Sequence, residues 1–119
     1  MRRDVELTLR GIRARGRHGA SPGETDRPQE FVVDLEVTVD VVADRLDATA
    51  DYRALARAAR AAVEAEPVVL LETLAGRVAD AVAGLDRVVR VRAVVHKPRA
   101  AASVEADDVS AVAIRGAAR

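Results

Sequence analysis

Apolar and polar residues alternate most regularly over residues 31–41. An alternation with a period of two predicts a strand with one buried and one wetted face, as in an antiparallel sheet that is covered on one side. The same period predicts strands at residues 88–98 and 109–115. It also predicts a strand at residues 4–14, in which Gly11 shifts the phase and indicates a bulge or a sharp bend.

Two helices are predicted between the second and third strands. Apolar residues recur there at intervals of three and four, which gives each helix one apolar face. Asp51 can cap the first helix and Pro67 ends it, whereas Gly84 ends the second. The apolar faces are formed by Leu55, Ala58, Ala59, Ala62 and Val63 in the first helix and by Leu71, Leu74, Ala75, Val78, Ala79 and Val82 in the second.

The order of these elements predicts the fold class. Strand-strand-helix-helix-strand-strand indicates an α+β fold, in which a four-stranded antiparallel sheet carries both helices on one face. We expect one domain, residues 1–119, with a core of modest size. That core is thin, because Ala and Val dominate it and the chain has one Phe, one Tyr and no Trp. Oligomerisation is a natural way to bury the remaining sheet edges and to complete a site between subunits.

Charge and composition exclude several classes of function. The formal net charge is zero and the basic residues are scattered, which argues against a nucleic-acid-binding surface. The chain has no cysteine, so it cannot form a disulfide framework or a thiolate metal site, and its two histidines lie far apart in sequence. We expect no metal site. No apolar run is typical of a signal peptide or a membrane span, so we expect a cytoplasmic protein.

Two features are candidates for chemistry, a long loop and a single lysine. Residues 15–29 are polar and rich in glycine and proline, and such long loops in small domains are often functional. Lys97 is the only lysine among 19 basic residues and ends the apolar face of the third strand. Unlike arginine, a lysine amine can lose its proton in a suitable environment. Codon bias, with a lysine that extends to solvent, is the simpler alternative.

Four short motifs occur in order along the chain. G-R-H-G-A-S-P-G-E begins at Gly16 and is followed by Gln29, T-A-D-Y ends at Tyr52, L-L-E-T-L-A contains Glu72, and V-H-K-P contains Lys97. Each motif alone is weak, but their order and spacing within the predicted elements are specific. In this combination the chain resembles the dihydroneopterin aldolase family of tunnelling-fold enzymes.

The resemblance implies a reaction and an assembly. Family members cleave the side chain of 7,8-dihydroneopterin by a retro-aldol reaction, which releases glycolaldehyde and 6-hydroxymethyl-7,8-dihydropterin for folate biosynthesis. Many members also epimerise the side chain. Because the ring has its own imine to accept the electrons of the broken bond, the resemblance implies no cofactor and no metal. It also implies a homo-oligomeric barrel, a tetramer or an octamer, that binds a small-molecule pterin at subunit interfaces.

The resemblance assigns catalysis to Lys97, Tyr52 and Glu24. Lys97 would act through water as a general acid and base near the ring imine and the side-chain hydroxyl. Glu24 would lie near the substrate hydroxyls and the lysine. Tyr52, the only tyrosine, would come from a neighbouring subunit and protonate the enol intermediate. On the residues alone, an aromatic side chain that fills a corner of the sheet is an equally open interpretation of Tyr52.

Substrate binding is assigned to Glu72, Leu71 and Ala50, together with Glu24 and Tyr52. The Glu72 carboxylate would accept paired hydrogen bonds from the ring amide and the neighbouring amino group. Leu71 lies next to Glu72 in the same motif. Ala50 belongs to a segment whose backbone would contact the ring.

The remaining motif residues are expected to be structural. Gln29 would anchor the long loop, and His18 and Gly19 would form its turn. His96 would point to the opposite face of the strand from Lys97. Residues 100–104 are alanine-rich where family members commonly have a proline-containing loop, and Pro28 stands where a glycine often precedes the glutamine.

Two alternatives to the aldolase remain open. An epimerase acting on dihydroneopterin or its triphosphate would use much the same residues, with Arg99 as the only obvious nearby cation for a phosphate. A noncatalytic pterin- or purine-binding assembly would retain Glu72 as its anchor. The sole lysine and the sole tyrosine argue against this second alternative.

Overall fold

The computed structural model describes residues 3–116. Two short 3-10 turns, Glu24–Asp26 and Leu46–Ala48, interrupt the connecting loops. The strands and helices are β1 (Arg3–Gly16), β2 (Gln29–Val41), α1 (Tyr52–Glu64), α2 (Leu71–Ala83), β3 (Val88–His96), α3 (Pro98–Ser103) and β4 (Ser110–Gly116).

The four strands form one antiparallel sheet in the order β1-β2-β3-β4, which confirms the predicted fold. The predicted bulge is present in β1, where the pairing with β2 shifts between Leu9 and Ile12. Gly11 adopts a φ of 75° at this point, a left-handed conformation that favours glycine. Its amide donates a 2.8 Å hydrogen bond to Asp34 Oδ1 on β2. The bulge therefore returns the apolar residues of β1 to the core face.

Helices α1 and α2 cover one face of the sheet, as the apolar stripes predict. Side chains of both stripes pack against the alternating apolar residues of β2 and β3. The Asp51 carboxylate caps α1 by accepting a 2.9 Å hydrogen bond from the amide of Arg53, and Gly84 ends α2, both as expected. The largest fully buried apolar side chains are Phe31, Leu35, Leu55 and Leu74.

The segment after β3 differs from the prediction. The strand ends at His96, and Pro98–Ser103 forms a short helix where the sequence predicted strand and then loop. Proline is well suited to the first turn of a helix, where its missing amide hydrogen is not needed. The alanines that follow are the strongest helix formers. Local propensity thus ends the strand one residue before Lys97.

The two ends of the molecule carry different candidate residues. Because the strands are antiparallel, the ends of β1 and β3 meet the beginnings of β2 and β4 at one end, which carries Lys97. The beginnings of α1 and β3 lie at the other end, which carries Tyr52. The longest dimension of the molecule is 52 Å. Within residues 3–116, no helix is both long and apolar enough to cross a membrane.

Candidate active site

A cavity of about 740 Å³ opens at the end of the molecule that carries Lys97. It lies between the long loop after β1, the beginning of α2, the short helix α3 and the edge strand β4. Lys97, Glu24, Glu72 and Leu71 all line it, so one chain brings together four of the six predicted site residues. The remaining lining residues are Ala20, Ser21, Val69, Leu70, Arg99, Ala100, Ser103, Val109, Ser110, Ala111 and Val112.

Lys97 and Glu24 form an ion pair inside this cavity. The Lys97 Nζ atom lies 2.9 Å from Glu24 Oε2, and the two side chains are only 13% and 23% exposed. The hydrogen bond from Lys97, followed by that from the Ser21 amide, lowers the pKa of Glu24 to about 2. Glu24 is therefore an ionised carboxylate that accepts a hydrogen bond from the Lys97 amine.

The long loop holds Glu24 in position from several sides. The amide of Ser21 donates to Glu24 Oε1 at 3.1 Å, and Gln29 Nε2 donates to Glu24 Oε2 at 3.3 Å. Gln29 is buried and also donates to the carbonyl oxygen of His18 at 3.1 Å, so it anchors the loop as predicted. A Cβ atom at Gly19 would overlap the Glu24 carboxylate. Glycine at position 19 therefore leaves the space that the Glu24 side chain occupies.

Replacing Gly19 with alanine is expected to displace Glu24 from Lys97, because the added methyl group would overlap the carboxylate. A reaction that depends on this ion pair should then slow by about tenfold or more. Steady-state kinetics would measure the loss. Gly84→Ala is the matched control, since a Cβ atom at Gly84 would make only an ordinary 3.6 Å contact with a carbonyl oxygen. Turnover of the Gly19 variant within about twofold of the Gly84 variant would show that the position of Glu24 is unimportant.

His18 connects the loop to the end of α1 and to the segment that leads into α2. Its Nε2 lies 2.6 Å from the carbonyl oxygen of Val63, and its Nδ1 lies 3.1 Å from the amide nitrogen of Val68. This pairing requires a neutral ring that donates from Nε2 and accepts at Nδ1. Burial lowers the pKa of His18, in agreement with that state. Gly19 adds a 3.1 Å hydrogen bond from its amide to the carbonyl oxygen of Val68.

The beginning of α2 presents Glu72 and Leu71 to the cavity. Glu72 is exposed and Leu71 is partly buried against the core, so the carboxylate is accessible to a ligand while the leucine fixes the helix. The exposed apolar side chains of Val69 and Leu70 extend the same wall. A carboxylate beside an apolar wall suits a flat heterocycle that carries paired N–H donors.

Tyr52 and Ala50 lie at the opposite end of the chain from this cavity. The 13 residues of α1 span about 20 Å, and it is the far end of that helix that contacts His18. Tyr52 is 61% exposed and packs into no corner of the sheet. Ala50 is buried and, with Thr49, lines a separate cavity of about 240 Å³. The single chain therefore does not bring Tyr52 or Ala50 to Lys97.

Several contributors to the site had no clear signal in the sequence. Ser21 acts through its backbone amide, and His18 acts through backbone partners 45 and 50 residues away. The position of His18 in the motif of the glycine-containing loop was the only indication of the second interaction. Across residues 3–116, no group of three or more His, Asp or Glu side chains is arranged to hold a metal ion.

Comparisons with known proteins point to one family. A family model described as dihydroneopterin aldolase (FolB) matches residues 7–114. The dihydroneopterin aldolase of Streptomyces coelicolor is 41% identical over 113 residues, which cover 92% of this chain and 95% of that protein.

Solved structures share the fold. The crystal structure of Escherichia coli dihydroneopterin aldolase in complex with neopterin has a TM-score of 0.80 at 21% identity, over 94% of this chain and 99% of that chain. A Burkholderia dihydroneopterin aldolase bound to guanine has a TM-score of 0.75 at 24% identity, over 97% and 93% of the two chains. By the family match and by its identity to the Streptomyces protein, the chain belongs to the dihydroneopterin aldolase family.

Proposed function

We propose that this protein catalyses the retro-aldol cleavage of 7,8-dihydroneopterin in the cytoplasm, with Lys97, Glu24 and Tyr52 as catalytic residues. The observation that carries the proposal is the convergence of Lys97, Glu24 and Glu72 on one cavity from three separate segments of the chain. The reaction releases glycolaldehyde and 6-hydroxymethyl-7,8-dihydropterin. The neopterin complex of the Escherichia coli relative supports a pterin as the ligand.

Glu72 and the adjoining wall would bind the ring. The exposed carboxylate can accept two parallel hydrogen bonds, one from the ring amide and one from the amino group next to it. Guanine presents the same pair of donors, so the guanine bound to the Burkholderia relative fits this recognition. The backbone near Leu71, and the backbone near Ala50 of a second copy, would hold the two sides of the ring plane.

The Lys97–Glu24 pair is suited to moving one proton from the substrate side chain to the ring. When the carbon–carbon bond breaks, its electrons flow to the ring imine, whose nitrogen then needs a proton. The hydroxyl on the departing two-carbon fragment must lose a proton, so that the fragment leaves as an aldehyde. The Lys97 ammonium supplies the first proton through water, and the amine that remains accepts the second. The hydrogen bond from Lys97 lowers the pKa of Glu24 to about 2, so Glu24 is ionised in the resting pair. It holds the lysine in place, stabilises the ammonium and would lie near the substrate hydroxyls.

The enol that remains requires a proton on carbon, which we assign to Tyr52 of a second copy. The ring nitrogen then releases the proton that it had received, which restores the imine, and a proton returns to the tyrosine through water. Tyr52 is exposed and lies at the far end of its own chain from Lys97, so only another copy can bring it to this cavity. In the described sheet, β1 and β4 each pair on one side only, and such open edges favour pairing between copies. We propose a homo-oligomeric barrel, a tetramer or an octamer, with its sites at the subunit interfaces.

Incubating the purified protein with 7,8-dihydroneopterin, without added metal, tests the proposal. We expect chromatography to detect glycolaldehyde and 6-hydroxymethyl-7,8-dihydropterin in equal amounts. Dihydromonapterin as a minor product would add the epimerase activity, and as the sole product it would replace the aldolase with an epimerase. Binding of the pterin without any conversion would instead indicate a noncatalytic binding protein. Faster conversion of a phosphorylated substrate would implicate Arg99, which lines the cavity.

A further inference from the structure

His96 is held between two carboxylates on the face of β3 opposite Lys97. Its Nε2 lies 2.8 Å from Asp34 Oδ2 on β2, and its Nδ1 lies 2.9 Å from Asp108 Oδ2 in the segment before β4. The histidine side chain is 23% exposed and Asp34 is 28% exposed. Both ring nitrogens thus face an acceptor.

This cluster connects the elements that surround the base of Lys97. Asp34 also accepts the hydrogen bond from the amide of Gly11 in the bulge of β1. Asp108 precedes Val109, whose carbonyl oxygen accepts a 2.9 Å hydrogen bond from the amide of Lys97. Two attachments, one through a side chain and one through the backbone, therefore hold the segment before β4 against the end of β3.

The two attachments differ in their dependence on protons. A protonated imidazole has two N–H groups and can donate to both carboxylates at once. A neutral imidazole has one N–H group, so its other nitrogen would present a lone pair to a carboxylate oxygen about 2.9 Å away. Two acceptors at that distance repel each other. Loss of one proton from His96 must therefore loosen either Asp34 or Asp108.

Asp108 is the carboxylate that can move. It lies in an irregular segment and its side chain is 53% exposed, whereas Asp34 lies within β2, pairs with Val94 of β3 and accepts the hydrogen bond from the Gly11 amide. We propose that His96 is a positioning residue whose protonated ring, by holding Asp108, keeps the segment before β4 and the backbone of Lys97 in place for the reaction. The inference rests on the proposed function, because it assigns Lys97 to catalysis.

The electrostatic surroundings of His96 favour the protonated ring. Burial lowers its pKa, but the hydrogen bonds to Asp34 and Asp108 outweigh that effect and raise it above the ordinary value of 6.5. These two carboxylates are the charged groups that act on the ring, and Arg10 on β1 acts on Asp34. Because the pKa of His96 is higher in the folded protein, the protonated ring stabilises the fold fully below pH 6.5. This stabilisation is lost as the pH rises through the pKa that His96 has in the folded protein.

Replacing Asp108 with asparagine tests the proposal, with Asp107→Asn as the matched control. An asparagine at position 108 can accept from the protonated ring and, after rotation of its amide, donate to the neutral ring, so it remains attached in both states. Asp107 is an exposed neighbour with the same charge. We expect the ratio of kcat for Asp108→Asn to kcat for Asp107→Asn to rise by about threefold or more as His96 loses its proton.

Two measurements locate and interpret that rise. Nuclear magnetic resonance can follow the titration of His96, because the chain has only two histidines and His18 is buried. Hydrogen exchange of the Lys97 amide, corrected for its intrinsic pH dependence, should accelerate with the titration in Asp107→Asn and stay constant in Asp108→Asn. A purely structural role for His96 would lower stability without changing the kcat ratio with pH.

The possible failures are distinguishable. A kcat ratio and a Lys97 exchange rate that stay flat while His96 titrates would overturn the positioning role and leave the aldolase intact. If the parent protein did not convert 7,8-dihydroneopterin at any pH, the proposed function would fail. The exchange measurement would then still decide whether His96 holds the segment before β4.

Discussion

Replacement of Lys97 with alanine is expected to lower kcat by about 10²–10⁴-fold, the usual contribution of a positioned acid or base. Binding of the pterin should persist, because Glu72 and the wall around Leu71 lie on another element. The loss is expected because the Lys97 side chain is largely buried in the cavity and the chain has no other lysine that could replace it. Steady-state kinetics with 7,8-dihydroneopterin, together with a direct measurement of pterin binding, would separate catalysis from binding.

Lys97→Arg is the control that separates charge from proton transfer. Arginine would keep a positive charge beside Glu24 but does not give up its proton in proteins. A loss in kcat similar to that of the alanine variant would therefore identify proton transfer as the role of Lys97. Near-normal turnover of the arginine variant would reduce that role to electrostatic positioning. Turnover of the alanine variant within about tenfold of the parent protein would exclude Lys97 as the acid and base.

Most of the fold follows from periodicity, because it depends on repeated local patterns. The alternation over residues 31–41 predicts β2 and its buried face, and the phase shift at Gly11 predicts the bulge that the structure contains. The end of β3 could not be predicted in the same way. The alternation continues through Lys97, but the proline and alanines that follow favour a helix, and this local preference prevails.

The candidate site was less predictable, because it depends on contacts between distant segments. Motifs pointed to Lys97, Glu24 and Glu72 one at a time, and the fold then places them around a single cavity. Nothing in the spacing of Asp34 and Asp108 indicates that both contact His96, since these pairs are 62 and 12 residues apart. Such pairings follow from the register of the sheet and from the path of a loop, neither of which leaves a periodic pattern.

Tyr52 provides the strongest test of a site shared between copies. Tyr52→Phe removes the phenolic hydroxyl and is expected to lower kcat by about 10²-fold if that group protonates the enol. On its own this loss would not reveal which copy supplies the tyrosine. Oligomers that contain both Tyr52→Phe and Lys97→Ala chains would reveal it, and they can be isolated by co-expression with two different affinity tags.

If Tyr52 acts on the cavity of a neighbouring copy, mixed oligomers should recover activity that neither variant has alone. With equal and random mixing, about a quarter of the interface sites would combine an intact Lys97 from one chain with an intact Tyr52 from the next. Mixing Lys97→Ala with Glu24→Gln is the matched control. Lys97 and Glu24 line the same cavity of one chain, so no arrangement of those two variants restores a complete site. Recovery confined to the first mixture would establish that the active site is assembled from two chains. If the first mixture recovered no activity beyond that of its separate variants, Tyr52 would have no catalytic role in a neighbouring copy.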